Sequence, residues 1–455
     1  MAVAEHPAVQ PIDGLPPGSR SPKLVQSLMS IFAHERGLER QRERYGAMFT
    51  AHSIGIGTIV VISDPELIRR AFTADPTVLH AGDRSPLRRI LGPNSLLGID
   101  EDRHLSQRKL LLPPFHGQRM AGYEAIIEEE ANREIDTWPE HTEFRTTEPM
   151  MRITLNVILR AVFGAEGENF DALRELMPSL VTLGSRLALL TFLHRDLGPR
   201  SPWGRFLRMR REFDRIVADL IDRARRDPGL PERGDVLALL VQATHEDGSP
   251  MSFAEIADEL LTLLAAGHET TATTLSWTVE RLRRHPEVLA RLVAEADDGG
   301  KALREATIKE VQRVRPVIPF TGRFVMEPFE LGGYVIPRGV TIGVSMVLTH
   351  TDPRLFPQPR RFLPDRFLDE KPDTYSWVPF GGGIRRCIGA AFAHMEMDVV
   401  LRTLLRRLEL QPTVARSERW HYRGVAFAPA DGGLATVRRR PHVDDGVAAR
   451  VAAAA

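Results

Sequence analysis

Cys387 is the only cysteine in 455 residues, and it stands in F-G-G-G-I-R-R-C-I-G, directly behind three glycines and two arginines. A lone cysteine is most often a small buried apolar residue. Here the glycine-rich run lets backbone pass close to a flat or bulky partner, and the cysteine lies where a loop becomes a helix. Amide groups and the helix N-terminus at such a point favour a thiolate. A thiolate held in this way is either a nucleophile or a metal ligand. A single thiol excludes an intramolecular disulfide, an iron–sulfur cluster and a structural zinc site built on several cysteines.

Three other stretches contain residues that could do chemistry. In L-L-A-A-G-H-E-T-T-A-T-T-L, Glu269, Thr270 and Thr271 interrupt an apolar helix, where polar groups are costly to bury without partners. H-E-T-T also begins the zinc-protease pattern H-E-x-x-H, but residue 272 is Ala, so the second histidine is missing. In K-E-V-Q-R-V-R-P, Glu310 and Arg313 stand one helical turn apart; alone, that spacing reads as an exposed ion pair of little energetic weight. His104 and Arg108, in D-R-H-L-S-Q-R-K, are spaced i, i+4 on one face, a pattern that a solvated basic surface also produces.

The elements that must hold these residues can be read from periodicity and punctuation. The first twenty residues, rich in Pro and Gly, predict an irregular arm. Met48–His52 and Thr58–Ile62 predict strands around a Gly-containing turn; Ser63 or Asp64 then caps a helix with Pro65 at its first position. From about Ala121 to Glu310 the spacing is helical. Short strands are expected around Gly322–Met326, Phe329–Leu331, Tyr334–Ile336 and Thr341–Val344, and a long helix just after Cys387. No Gly/Ser linker divides the chain. Residues 21–442 therefore read as one mainly α domain with a small β portion (α+β), between the arm 1–20 and a fraying tail 443–455.

With 43% hydrophobic and 26% charged residues, the chain can bury a sizeable core. Its 60 basic and 60 acidic residues cancel, so no overall field favours nucleic acid or an anionic membrane. The N-terminus has no apolar signal core, and no apolar run approaches the ~20 residues of a membrane span. A cytoplasmic protein with neither a nucleic-acid partner nor a membrane anchor is expected.

Phe380, Gly383, Arg385, Cys387 and Gly389 match, position for position, the haem-binding loop of the cytochrome P450 superfamily, which the chain resembles from about residue 45 to 440. The resemblance implies a cytochrome P450-like fold with haem b (iron protoporphyrin IX) between a central oxygen-activating helix and the helix after the cysteine loop. It makes Cys387 the axial thiolate of the haem iron, places Phe380 beside that sulfur, gives Gly389 the close approach of the helix, and pairs Arg385 with a propionate. His104, Arg108 and Arg323, the last in T-G-R-F-V, match further propionate partners. In F-P-Q-P-R-R-F-L-P-D-R-F, Arg366 would complete a structural Glu–Arg–Arg network with Glu310 and Arg313; Asp365 stands where the family usually has Glu. The central helix resembles A-G-x-[DE]-T-T, in which Ala266 and Gly267 leave room for oxygen while Glu269 and Thr270 deliver protons.

The implied reaction is monooxygenation by O2 with two electrons from NAD(P)H, which hydroxylates or epoxidises a lipophilic molecule such as a fatty acid, terpene or sterol. No G-x-G-x-x-G follows a strand and no P-loop occurs, so electrons are expected from separate partners. In bacterial relatives these are a ferredoxin and its reductase, for which Lys109 and Arg386 offer a docking patch. The substrate pocket is expected from Arg84–Ile99, Leu176–Leu197, Val317–Gly322 and Val425–Pro429. A peroxide-dependent or isomerising haem-thiolate enzyme would not need the acid–alcohol pair, and a non-catalytic haem sensor would need no proton route.

Overall fold

The computed structural model describes residues 12–441 apart from 33, 116, 118, 165, 166, 191, 192 and 370, so the expected tail lies outside the described residues. Residues 12–18 of the expected arm are tied to the sheets. Strand β1 (Ile12–Asp13) pairs in parallel with Tyr334 and Val335. Thr50 donates its backbone N–H to Pro17 O at 3.0 Å and its hydroxyl to Pro16 O at 2.7 Å. Proline lacks a donor, but its carbonyl still accepts, which is how a proline-rich segment becomes bound to a sheet.

Strands β2 (Met48–Ser53) and β3 (Gly57–Ile62) form an antiparallel hairpin with Phe49 opposite Val61. Helix α1 (Pro65–Phe72) follows; Asp64 accepts the Glu66 N–H at 3.0 Å and Pro65 opens the first turn. After β4 (Leu79–His80) the chain is helical, with α2 (Glu101–Leu111), α3 (Thr147–Phe163), α4 (Glu168–Leu189), α5 (Pro202–Arg226), α6 (Phe253–Leu282) and α7 (Ala302–Val314) the elements nearest the site. Strands return as β5 (Phe320–Val325), β6 (Phe329–Leu331), β7 (Tyr334–Ile336) and β8 (Thr341–Ser345). The main sheet runs β2-β3-β8-β5-β4, with β3 and β8 its parallel pair. Helix α8 (Ala390–Arg407) follows the cysteine loop, and the hairpin β9 (Trp420–Tyr422) and β10 (Phe427–Pro429) returns to the core. Unexpected short pairs close the C-terminal part: Leu408–Leu410 with Val437–Arg439, and Phe144–Arg145 with Leu434–Ala435.

Helix α6 is the spine of the molecule. It starts in a capping box: Ser252 Oγ accepts the Glu255 N–H at 3.3 Å, and Glu255 accepts the Ser252 N–H at 2.9 Å. From Ile256 to Leu282 every residue is buried except Ala265, Ala266, Gly267 and Thr270. An exposed step in the middle of a helix so enclosed borders space inside the protein. Helix α3 crosses close by, with Thr154 Oγ donating to His268 O at 2.9 Å.

Replacing the cap tests how firmly α6 is held at its start. Ser252→Ala is expected to lower stability by about 1 kcal/mol, read as a lower melting temperature, with haem content unchanged; an unaltered melting temperature would contradict it.

Candidate active site

The loop before α8 is folded on itself and against α1. Cys387 N–H donates to Phe380 O at 3.0 Å, Arg386 N–H to Gly383 O at 3.1 Å, and Gly381 N–H to Val378 O at 3.0 Å. A Cβ on Gly382 would lie 2.4 Å from the Phe72 ring, and one on Gly383, at φ +63°, would lie 1.9 Å from Phe72 O. These two glycines are required by the contact with α1. Beside Gly389, in contrast, a Cβ would meet nothing within 4 Å. Phe380 is half-buried, its ring 5.0 Å from that of His394 on α8 and 6.4 Å from that of Trp377.

Cys387 has accessible surface, yet protein encloses its sulfur. Both hold at once if the side chain opens onto internal space. Burial pushes the thiol up, against the Gly389 N–H bonded to it and the charges of Arg108 and Arg386. The amide and helix-end effects expected from the sequence are present, but burial outweighs them. The thiolate form therefore needs a positive centre at the sulfur itself, which suits a metal ligand better than a free nucleophile.

A cluster of cations lies beside this sulfur. Arg385, expected at a propionate, bonds Asp100 and donates to the carbonyls of Leu96 at 3.1 Å and Ile99 at 2.5 Å. Asp100 also accepts the N–H groups of Ala81, Gly82 and Asp83 at 2.8, 2.9 and 2.7 Å. Burial would raise this carboxyl, but those N–H groups and Arg385 hold it low. Arg323 is buried, its guanidinium 4.9 Å from the Phe72 ring centre and bonded to Gly322 O at 3.0 Å. Burial, then the charge of Arg385, brings it down to about 10. His104 is buried with Nδ1 unpartnered; burial, then Arg385 and Arg108, lowers it to about 3, so the ring is neutral. Arg108 is half-buried and, like Arg323, has no carboxylate at ion-pair distance among the described residues. Asp83, the other carboxylate nearby, pairs with Arg88 at 2.5 Å. Of the three arginines only Arg385 thus has a carboxylate partner, Asp100, and the positive charges of Arg108 and Arg323 are unmatched among the described residues. That excess, with the orphaned His104 nitrogen, fits a ligand bearing two carboxylates, as the implied haem does.

On α6, Thr270 Oγ donates to Ala266 O at 2.7 Å and Thr271 Oγ to Gly267 O at 3.0 Å. Ala266 is exposed, but a Cβ on Gly267 would sit 3.3 Å from the Ile158 side chain on α3. A larger residue at 267 would thus press on α3, while Ala266 is the most open point of the unburied step. Glu269 is buried, its Oε1 3.6 Å from Arg423 Nε; burial pushes this carboxyl up and Arg423 opposes it. His268 Nδ1 bonds Leu264 O at 2.9 Å.

Glu310 and Arg313 are fully buried, correcting the surface reading that their spacing alone allows. They are paired through two bonds of 2.7 and 2.8 Å. Arg313 also donates to the carbonyls of His350, Pro359 and Arg361, while Glu310 accepts the Leu363 N–H at 2.8 Å. Arg366 Nε approaches Glu310 at 3.2 Å, and Asp365 pairs instead with Arg291 at 2.6 Å. The network ends at the cysteine loop, because His350 Nε2 accepts the Val378 N–H at 3.1 Å. Burial, then Arg313, lowers His350 to about 3, which keeps that nitrogen an acceptor. Lys109, from the expected docking patch, is exposed and paired with Glu246 at 3.1 Å. The sequence reading missed Asp100, Phe72, His350 and Arg423. Asp100 had one signal, a capping residue type before a helix, yet its carboxylate makes no cap bond.

Comparison with known proteins matches residues 17–431 to the family model described as Cytochrome P450. A Mycobacterium tuberculosis protein named cytochrome P450 138 is 53% identical over 432 residues, covering 94% of this chain and 98% of that protein. Another from that organism, named cytochrome P450 135B1, is 42% identical over 434 residues, covering 93% and 92%. Among solved structures, retinoic acid-bound cyanobacterial CYP120A1 superposes with a TM-score of 0.82 at 23% identity, covering 94% of this chain and 100% of that one. The cytochrome P450DA haem domain gives 0.81 at 24% identity, covering 95% and 99%.

Removing one member of the buried pair leaves the other charge uncompensated, at about 3–5 kcal/mol. Glu310→Ala and Arg313→Ala are each expected to melt lower and to purify with little haem, measured as the haem-to-protein ratio. Wild-type melting and loading in both would contradict this role.

Proposed function

The chain belongs to the cytochrome P450 family, and on that premise we propose that it hydroxylates or epoxidises a lipophilic molecule, a fatty acid, terpene or sterol, with NAD(P)H electrons relayed by a ferredoxin and its reductase. The family is one of haem-thiolate monooxygenases, and in its fold haem lies between α6 and α8. The observation that supports the reading most is the pairing of one accessible, enclosed cysteine sulfur with an adjacent excess of two positive charges.

When bound, haem supplies the reductive activation of O2, so that one oxygen atom enters the substrate and the other leaves as water. Cys387 would ligate the iron and donate charge to it, a push that assists O–O cleavage. Arg108, Arg323 and neutral His104 would hold the propionates. Arg385 would act mainly through Asp100, anchoring the cysteine loop to the segment before α2. The open step at Ala266 would leave room for oxygen.

Glu269 and Thr270 would form the proton route. Glu269, whose burial favours the protonated form, can give up a proton. Thr270, its own hydrogen committed to Ala266 O, offers oxygen lone pairs to hold a water there. The expected pocket segments contribute partly buried apolar side chains, among them Leu87, Leu176, Leu183, Leu193, Ile318 and Val425, which suit a lipophilic ligand. No helix among the described residues is long and apolar enough to cross a membrane.

Thr270→Ala in haem-loaded protein, with a surrogate ferredoxin and reductase, tests the route. Haem binding and the substrate-induced spectral change should persist. Product per NADPH should fall and hydrogen peroxide should rise, since acid delivery of this kind is worth about 10²–10⁴-fold. Wild-type coupling in the variant would overturn the proposed route.

A further inference from the structure

Glu269 has one ion-pair partner among the described residues, Arg423, and that partner comes from the far end of the chain. Arg423 begins the turn between β9 and β10, where its N–H donates to Ala426 O at 2.9 Å. Strand β10 of this hairpin is tied to α6, because Trp277 Nε1 donates to Phe427 O at 3.2 Å; Phe427 N–H donates to Val317 O at 2.9 Å. The tip is docked on α4. Ser185 Oγ donates to Arg423 O at 3.3 Å and accepts the Val425 N–H at 3.0 Å. Between them Gly424 takes φ +117°, and a Cβ there would lie 2.3 Å from Ser185 Oγ. Any residue larger than glycine would push the turn off the helix.

We infer that Arg423 is a positioning residue for Glu269: its guanidinium fixes the carboxyl's orientation and supplies the positive charge that a buried carboxylate needs after giving up its proton. The docking of the turn on Ser185 makes that hold depend on α4 being seated. The inference rests on Glu269 being the proton donor proposed above. A donor that works in repeated cycles must exist in both protonation states. Burial alone penalises the ionised one. A cation within about 4–6 Å changes the ratio of ionised to protonated carboxyl ten-fold or more, and Arg423, at 3.6 Å, is near enough. Its side chain is about one-third exposed while that of Glu269 is buried, 31% against 7%, so the cation reaches accessible space that the acid does not. His268, next on the same helix, is buried with its Nδ1 bonded to Leu264 O, and burial first, then the charge of Arg423, lowers it.

The test uses full-length, haem-loaded protein with a surrogate ferredoxin and reductase and lauric acid as the probe substrate. Difference infrared spectra serve as a second readout; the Glu269 carboxyl band is the one lost in Glu269→Gln. Arg423→Met should load haem normally, yet lower product formation and NADPH consumption together by roughly ten-fold, with a larger solvent isotope effect and an altered carboxyl band. Arg423→Lys should restore most of the rate, and Gly424→Ala should reproduce part of the defect through the displaced turn. A wild-type rate and band in Arg423→Met, alongside a slow Glu269→Gln, would remove Arg423 from the route while leaving the acid in it. A wild-type rate in Glu269→Gln would overturn both the proton route and this inference. A wild-type band in Gly424→Ala, with Arg423→Met defective, would overturn the dependence on α4.

Discussion

A thiol enclosed by protein is driven toward its neutral form, and that constraint organises much of the molecule. The Gly389 amide and the charges of Arg108 and Arg386 act on the Cys387 sulfur without overcoming burial. A cation bound to the sulfur would reverse the balance. The surrounding structure keeps the side chain enclosed and open on one side. Phe72 meets the two glycines from α1, Phe380 O holds the Cys387 N–H, and Arg385 ties the loop through Asp100 to backbone N–H groups. From behind, the buried Glu310–Arg313 pair reaches the same loop through His350 and Val378. A buried ion pair is weak evidence for stability by itself; here it gathers carbonyls and an N–H from a segment with little regular structure and fixes that segment against α7.

The same electrostatic reasoning applies on the side of the cation cluster. Arg323 and Arg108 are withdrawn from water without carboxylates, and His104 buries a nitrogen with no partner. Groups left so are costly, and a ligand with two negative charges relieves all of them together. Held by these residues, haem would stabilise the fold as well as the site, which is why defects in the remote network are expected to appear as lost haem.

Most residues of the candidate site could be picked out in the sequence because they stand in short local patterns. The loop around Cys387, the Glu269–Thr270 pair on α6 and the i, i+3 spacing of Glu310 and Arg313 each lie within one element, and periodicity located those elements well. What the sequence hid depends on contacts between distant segments. Asp100 has a capping residue type but receives N–H groups from residues 81–83. Gly267 lies in a motif about oxygen access, yet Ile158 occupies the space beside it. Arg423 has no motif at all, and its meaning comes from a turn that reaches both α4 and Glu269. The attachment of residues 12–18 was hidden for a similar reason, since a segment poor in donors is held by donors from β2 and by pairing with β7.

Iron K-edge X-ray absorption of the haem-loaded protein tests the central claim most directly. The account predicts one sulfur ligand in the native protein and its replacement by a lighter oxygen or nitrogen atom in Cys387→Ser. A sulfur that persists in that variant would have to be a methionine thioether, and it would contradict the assignment, as would a native protein with no sulfur bound to iron.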